Sequence, residues 1–304
     1  LKNESLIQGL ESLDASVEVV VWLDADVIPH KYWIRELVQP LEDPNVGVAS
    51  GIRWYAPRSW NPGTLIRYVW NSAAVVQMLT MDIVWGGSIA ISRDVFHSPA
   101  LRKQWSQTLW EDTCLKMVVS QLGLKIVFVP KVTMVNEEST SLKSCYHFIT
   151  RQLLNTRLYH PSWKFSSTLG ICSALSQLTL VTLTILFLLQ GNLFIAAFST
   201  AVLLSASLCF WSVICRLDIL IHQQLYRRGA TLKRLPWSTI LILWPTLALY
   251  FVALLAAITA RQVKWRGVVY DVASPTNVQI IHYEPYQNVA SLQTVLETDN
   301  NSIV

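Results

Sequence analysis

Charge is what this sequence has least of. Asp, Glu, Lys and Arg make up only 14% of its 304 residues, and none of them occurs between Phe165 and Cys215. A helix on a soluble protein needs a polar stripe toward water, so this run excludes a wholly water-soluble chain. At about 1.5 Å per residue it is far longer than one hydrocarbon core of about 30 Å, which leaves room for two crossings. Gly191 and Asn192 interrupt it where a hairpin has to turn, giving expected spans at 169–190 and 193–215. A third run without charge extends from Leu235 to Ala260 with Pro245 inside it, and a span is expected at 237–260.

Cysteine is also scarce. Cys114, Cys145, Cys172, Cys209 and Cys215 are odd in number and have no metal-ligand spacing, which excludes a zinc module or a disulfide framework and suits small core residues in a reducing compartment. The six histidines are scattered in the same way. The net charge of +4 is modest, and the basic residues flank the apolar runs instead of alternating with aromatics. That pattern fits phospholipid headgroups and argues against nucleic acid. The chain opens on Leu1 with neither a methionine nor a signal peptide, and is read as a fragment.

What is present centres on Val17 to Asp26, VEVVVWLDAD. Its β-branched, apolar run has strand length and the look of a strand covered on both faces. It stops at Asp24 and Asp26, and alternate residues of an extended chain project to one side. Both carboxylates would then meet beyond the strand's carboxyl end, where open α/β sheets bind ligands. Hard oxygen ligands suit Mg2+ or Mn2+, which can hold a diphosphate. By itself Asp-x-Asp also describes a polar turn or a helix cap.

The remaining patterns alternate helix and strand, as in an α/β layer. Helices are expected from Leu1 to Leu13, Tyr32 to Leu41 and Asn61 to Met81, and strands from Val46 to Ala49 and Lys125 to Val129, the latter ending at Pro130. Gly86, Gly87 and Ser88 lead into Ile89-Ala90-Ile91, where paired glycines allow a close approach of the backbone to a ligand or a positive φ. Glu111 and Asp112 fall in the first turn expected for the helix carrying Leu115, Val118, Val119 and Leu122. From Cys145 to Lys164, Arg151, Arg157 and Lys164 are mixed with apolar residues, as in a helix lying on a membrane surface.

The ordered set Asp24-Ala25-Asp26, Trp85-Gly86-Gly87-Ser88, Glu111-Asp112 and Arg151-Gln152, followed by spans and by Trp265-Arg266-Gly267 and Tyr270, resembles family-2 glycosyltransferases of the GT-A fold. The branch it looks most like is the membrane-bound, ceramide glucosyltransferase type. That resemblance implies an α/β, Rossmann-like GT-A catalytic domain at 1–144 that lacks its first nucleotide-binding half. An interfacial helix at 145–165, a transmembrane region at 166–260 and a cytoplasmic tail at 261–304 would follow. The resemblance implies transfer of one sugar, with inversion, from a UDP-glucose-like nucleotide-sugar donor to a membrane lipid hydroxyl of the sphingolipid or glycerolipid kind. The implied location is a bacterial inner membrane or a eukaryotic endomembrane, with the catalytic domain on the cytoplasmic side.

It also implies roles. Asp24 and Asp26 would hold Mg2+ or Mn2+ against the diphosphate, Asp112 would be the general base, and Glu111 would orient the site. Gly86, Gly87 and Ser88 would line the donor sugar or the acceptor entrance. Arg151, with Gln152 beside it, would bind the diphosphate, and Lys2 would face the donor. The family's Gln-x-x-Arg-Trp element reads Phe148-Ile149-Thr150-Arg151-Gln152 here. In processive members that Trp stacks on the acceptor sugar, and its absence argues for one sugar per acceptor.

Two competing readings remain at this level. A processive polysaccharide synthase of the cellulose or hyaluronan type needs more spans and the stacking Trp. A non-enzymatic membrane scaffold would be favoured by charges inside the spans, and there are none. Arg151, Arg157 and Lys164 before the first span, and Arg216, Arg227, Arg228, Lys233 and Arg234 after the second, place both ends on the cytoplasmic side. Three crossings would put Arg261, Lys264 and Arg266 outside, so 237–260 is expected to enter and return by bending at Pro245, with a plain crossing as the alternative.

Overall fold

The structure, a computed structural model, describes residues 2–229, 232, 237–265 and 267–283. Lys233, Arg234 and Arg266, and with Arg266 the middle of the Trp265-Arg266-Gly267 element, lie outside the described residues. The chain forms two compact units, Leu1–Thr259 and Ala260–Val304.

The first unit begins as alternating helices and strands: α1 (Lys2–Glu11), β1 (Val19–Leu23), α2 (Trp33–Val38), β2 (Val46–Tyr55), α3 (Pro62–Met81), β3 (Ser88–Ser92), α4 (Arg93–Phe96), α5 (Pro99–Gln107), α6 (Leu115–Gln121), β4 (Lys125–Asn136) and α7 (Leu142–Tyr159). The sheet order is β1-β3-β2-β4, with β3 antiparallel to both neighbours and β2 parallel to β4. Three strands therefore share one direction, and the layer is the mixed α/β sheet expected of a glycosyltransferase domain.

Several local details differ from the sequence patterns. β1 lies at the sheet edge, and all five of its residues are only part-buried, so it is not the strand covered on both faces that its apolar run suggested. β2 runs on to Tyr55, and β4 continues through Pro130 to Asn136. The register steps from Ser50 opposite Phe128 to Ile52 opposite Thr133, so a bulge absorbs Pro130 and spares the ladder a donor that proline lacks. α3 starts where Asn61-Pro62 predicts, the Asn61 side chain accepting from Thr64 N–H at 2.8 Å.

Three apolar helices follow: α8 (Trp163–Leu189), α9 (Leu193–Tyr226) and α10 (Leu243–Thr259), the last entered through a 3-10 turn at Trp237–Ile242. Each of the segments Trp163–Leu189, Leu193–Tyr226 and Trp237–Thr259 is long and apolar enough to cross a membrane. Between α8 and α9, Gly191 adopts φ +74° and Asn192 caps α9 by accepting from Ile195 N–H, which is the hairpin its sequence signals.

α9 is 34 residues long, about 50 Å at 1.5 Å per residue, and so outruns a bilayer core. Its second half joins the α/β domain: Ile214, Ile221 and Leu225 are buried with Ile52, Trp54, Tyr68 and Val69. Tyr68 Oη donates to Asp218 Oδ1 at 3.2 Å, and Arg228 reaches Glu36 at 3.7 Å. Each of those apolar side chains contributes on the order of 1.5–3 kcal/mol by its burial, so the junction is a core and not a tether.

At Pro245 the helix is continuous. The turn at Trp237–Ile242 passes straight into α10, and Pro245 sits in the first turn of that helix, where its missing N–H leaves no bond unmade. α7 packs Cys145, Ile149 and Leu153 on Ile66 of α3 and on Ala253, Leu254 and Ala257 of α10.

The second unit, which covers the segment expected as a tail, carries an antiparallel sheet of β5 (Gln262–Trp265), β6 (Val268–Ser274) and β7 (Asn277–Tyr283). Val268, Tyr270 and Val272 alternate inward, the period-two signal of a half-buried strand.

Candidate active site

Register decides where the acids meet. β1 pairs with β3 so that Leu23 faces Ser88, which puts Gly87 beside Asp24, whose N–H donates to the Gly87 carbonyl at 3.2 Å. The glycine pair is thereby brought to the carboxyl end of β1. The second acid does not continue that extended geometry: the Val27 N–H bonds to the Asp24 carbonyl at 3.1 Å and closes a turn through Ala25 and Asp26. Alternation therefore fails at this point, leaving Asp24 part-buried and Asp26 exposed.

Glu111 and Asp112 come from a different part of the chain. They sit in the loop before α6, ahead of its N-cap Cys114, and not inside its first turn. Trp105 Nε1–H donates to the Glu111 carbonyl at 3.0 Å and fixes the loop on α5. Asn3, buried in α1, donates to the carbonyls of Trp105 and Thr108 at 3.2 and 2.7 Å, which fixes the same loop to α1. One turn position away, Lys2 Nζ lies 2.8 Å from Asp24 Oδ1 and 2.5 Å from Glu111 Oε1. A single ammonium thus joins the two acidic motifs.

Asp112 is held from both sides. Its Oδ2 accepts the Gly86 N–H at 2.8 Å, and its Oδ1 accepts the Thr113 N–H at 2.7 Å and the Thr113 hydroxyl at 3.0 Å. Gly86 is required by this closeness, since a Cβ there would stand 2.5 Å from Glu111 Oε1 and 2.9 Å from Asp112 Oδ2. A Cβ on Gly87 would strike the Trp85 ring. Neither glycine has a positive φ, so close approach is what the pair provides.

Charge follows from burial. Glu111 is 3% exposed, and its pKa is pushed up to about 7, by burial first and by Asp112 next, against the opposing pull of Lys2. Burial disfavours the Lys2 ammonium too, but Glu111 and Asp24 outweigh it and hold its pKa above the ordinary value. The folded chain then carries a proton on Glu111 that an unfolded chain releases, so stability falls as pH rises from about 4.5 to about 7 and levels off above. Glu111→Gln is expected to remove that slope, read as the thermal midpoint of detergent-solubilised protein across the same pH range.

A cavity of about 90 Å³ opens at this point, with Asp112, Thr113, Trp85 and Gln152 in its lining. Of the residues given a site role in the sequence, Asp112 and Gln152 line it, together with Trp85 of the Trp85-Gly86-Gly87-Ser88 set. Ser88 does not: it is fully buried, and its hydroxyl accepts Trp33 Nε1–H at 2.8 Å. Arg151 sets its guanidinium 5.9 Å from the Phe148 ring centroid. Arg53, which sequence reading passed over, also lines the cavity, its guanidinium 5.0, 5.4 and 5.6 Å from the ring centroids of Tyr55, Phe148 and Trp85. The signal was a lone charge in the otherwise uncharged strand VGVASGIRWY.

Among the described residues, no three His, Cys, Asp or Glu side chains gather as a metal cluster. The donor set nevertheless fits an ion that takes one or two carboxylates from the protein and the rest from phosphate oxygens and water, as Mg2+ commonly does.

The chain's likeness to known proteins has the same extent as this architecture. The model of glycosyl transferase family 21 matches residues 1–278, through the mixed sheet, the acidic loop and all three apolar helices. No curated protein matches the chain. Because that family model covers far more than half of the sequence, this protein belongs to glycosyl transferase family 21 and is a membrane glycosyltransferase.

Proposed function

We propose that the protein transfers a single sugar, with inversion, from a UDP-glucose-like donor to a membrane lipid hydroxyl, at the cytoplasmic face of the membrane. The observation that carries this reading is the position of Asp112: fixed by three hydrogen bonds, next to the Lys2–Glu111–Asp24 bridge, in a cavity bordered by helices that pack on the apolar segments.

In the reaction, the Asp112 carboxylate takes the proton of the acceptor hydroxyl as that oxygen bonds to the anomeric carbon from the face opposite the leaving group. The bond from the sugar to the diphosphate breaks in the same displacement, and its electron pair leaves with UDP. Asp24 and Asp26 would hold Mg2+ or Mn2+, and such an ion, when bound, would supply positive charge to the leaving diphosphate. Lys2 supplies a fixed positive charge at the same edge, and Arg53, held among aromatic rings in the cavity wall, presents a planar donor suited to phosphate or sugar oxygens. Arg151 would approach the diphosphate from α7, and Glu111 positions Lys2. Gly86 keeps the two carboxylates of the acidic loop close together.

The test is an assay of the full chain in membranes with a radiolabelled UDP-sugar and a lipid extract. One labelled glycolipid, heavier than its acceptor by one sugar, is expected. A ladder of longer products would replace this reading with a processive synthase, and the absence of lipid-soluble label would end it.

A further inference from the structure

A second cavity, of about 250 Å³, lies among the apolar helices, bordered by Leu169 and Ser173 of α8, Phe210 of α9, and Leu247 and Tyr250 of α10. Among the described residues, no charged side chain lines it. It adjoins the Asp112 cavity, because Trp70, Ala74, Gln77 and Leu153 line both. Trp70, Ala74 and Gln77 recur at helical spacing on one face of α3, so that face borders both cavities. Ala74 adds only a methyl group to this boundary, and the Gln77 amide places a polar group where an apolar space meets the acidic one.

The outer lip is Leu169, 51% exposed, on a helix whose most apolar stretch has no buried residue. With α8 crossing the membrane, this side of the cavity would face hydrocarbon. Its wall is shaped by the absence of a side chain at Gly170, where a Cβ would come within 2.5 Å of Tyr250 Oη.

We propose that this cavity holds a hydrocarbon chain of the acceptor lipid, entering from the bilayer past Leu169, with the hydroxyl end passing Gln77 to reach Asp112. The proposal rests on the lipid-acceptor reading above. The described lining offers no cation to a nucleotide diphosphate and is mostly apolar, whereas methylene groups gain free energy there simply by leaving water. The cavity then measures chain length and so selects among lipids that share a headgroup.

The experiment uses the full chain in mixed micelles with two acceptors of identical headgroup, one with long and one with short hydrocarbon chains. Leu247→Trp fills the cavity from α10, and Ser173→Phe fills it independently from α8. Each is expected to raise the KM for the long-chain acceptor, relative to the short-chain one, about tenfold, with the donor KM as the internal reference. If both variants change the two acceptors equally, whether through a general loss of activity or through no effect at all, the proposal is overturned. If the unaltered protein glycosylates neither lipid, the lipid-acceptor reading fails first and takes this one with it. Transfer to lipid with an unchanged acceptor ratio in both variants removes the chain site alone.

Discussion

Asp112→Asn is expected to lower kcat by roughly 10²–10⁴-fold with little change in KM, because a positioned base acts on a proton that moves only in the transition state. The geometry says what else will change. Asparagine offers one carbonyl oxygen, which can keep the two Thr113 contacts at 2.7 and 3.0 Å, but its amide then faces the Gly86 N–H that the Oδ2 atom accepts at 2.8 Å. Leaving that donor unpaired costs about 1–3 kcal/mol of stability. Transfer rates should therefore be compared at equal folded fraction, with the thermal midpoint measured alongside. If the folded, membrane-inserted variant turns over as fast as the unaltered protein, Asp112 is not the base.

Gly86→Ala is the second large effect, and it acts without removing any functional group. The new methyl would lie 2.5 Å from Glu111 Oε1 and 2.9 Å from Asp112 Oδ2, well inside contact distance. Glu111 is nearly fully buried and bound to Lys2, so it has no solvent to swing into. Either its carboxylate leaves the ammonium or the loop shifts. Overpacking of this kind costs about 1–3 kcal/mol, and displacing a catalytic carboxylate by around 1 Å can lower kcat by about a hundredfold. Both kcat and the thermal midpoint should fall, and unchanged kinetics would show that Gly86 is not pressed against the acids in the working enzyme.

Some of the site was legible in one dimension because its signals are local. Asp24-Ala25-Asp26 closes an apolar strand-length run, Glu111-Asp112 stands before a helix, and Gly86-Gly87 precedes a strand. What they do together was not legible. Lys2 bridges Asp24 and Glu111 only because Asn3 fastens α1 to the loop at Thr108, a contact between residues 105 positions apart that no periodicity encodes. Ser88 reads as a ligand-lining hydroxyl in sequence but is taken by Trp33 in the fold, and Arg53, which carries no motif, lines the cavity. Asp26 shows the same limit, since the pleat argument that aligned it with Asp24 assumes an extended chain where the backbone makes a turn.

The membrane half divides in the same way. The sequence by itself determined that the chain enters a bilayer and where two of its helices meet, because hydrocarbon excludes charge over lengths set by the bilayer, and a hairpin needs a residue such as Gly191 that accepts positive φ. Only the tertiary structure decided that α9 runs on into the core of the α/β domain, that Pro245 lies in the first turn of a helix, and that strands between Gln262 and Tyr283 form a sheet. The physical reason is that composition fixes which solvent a segment prefers, while packing and register between residues far apart fix which groups it will touch.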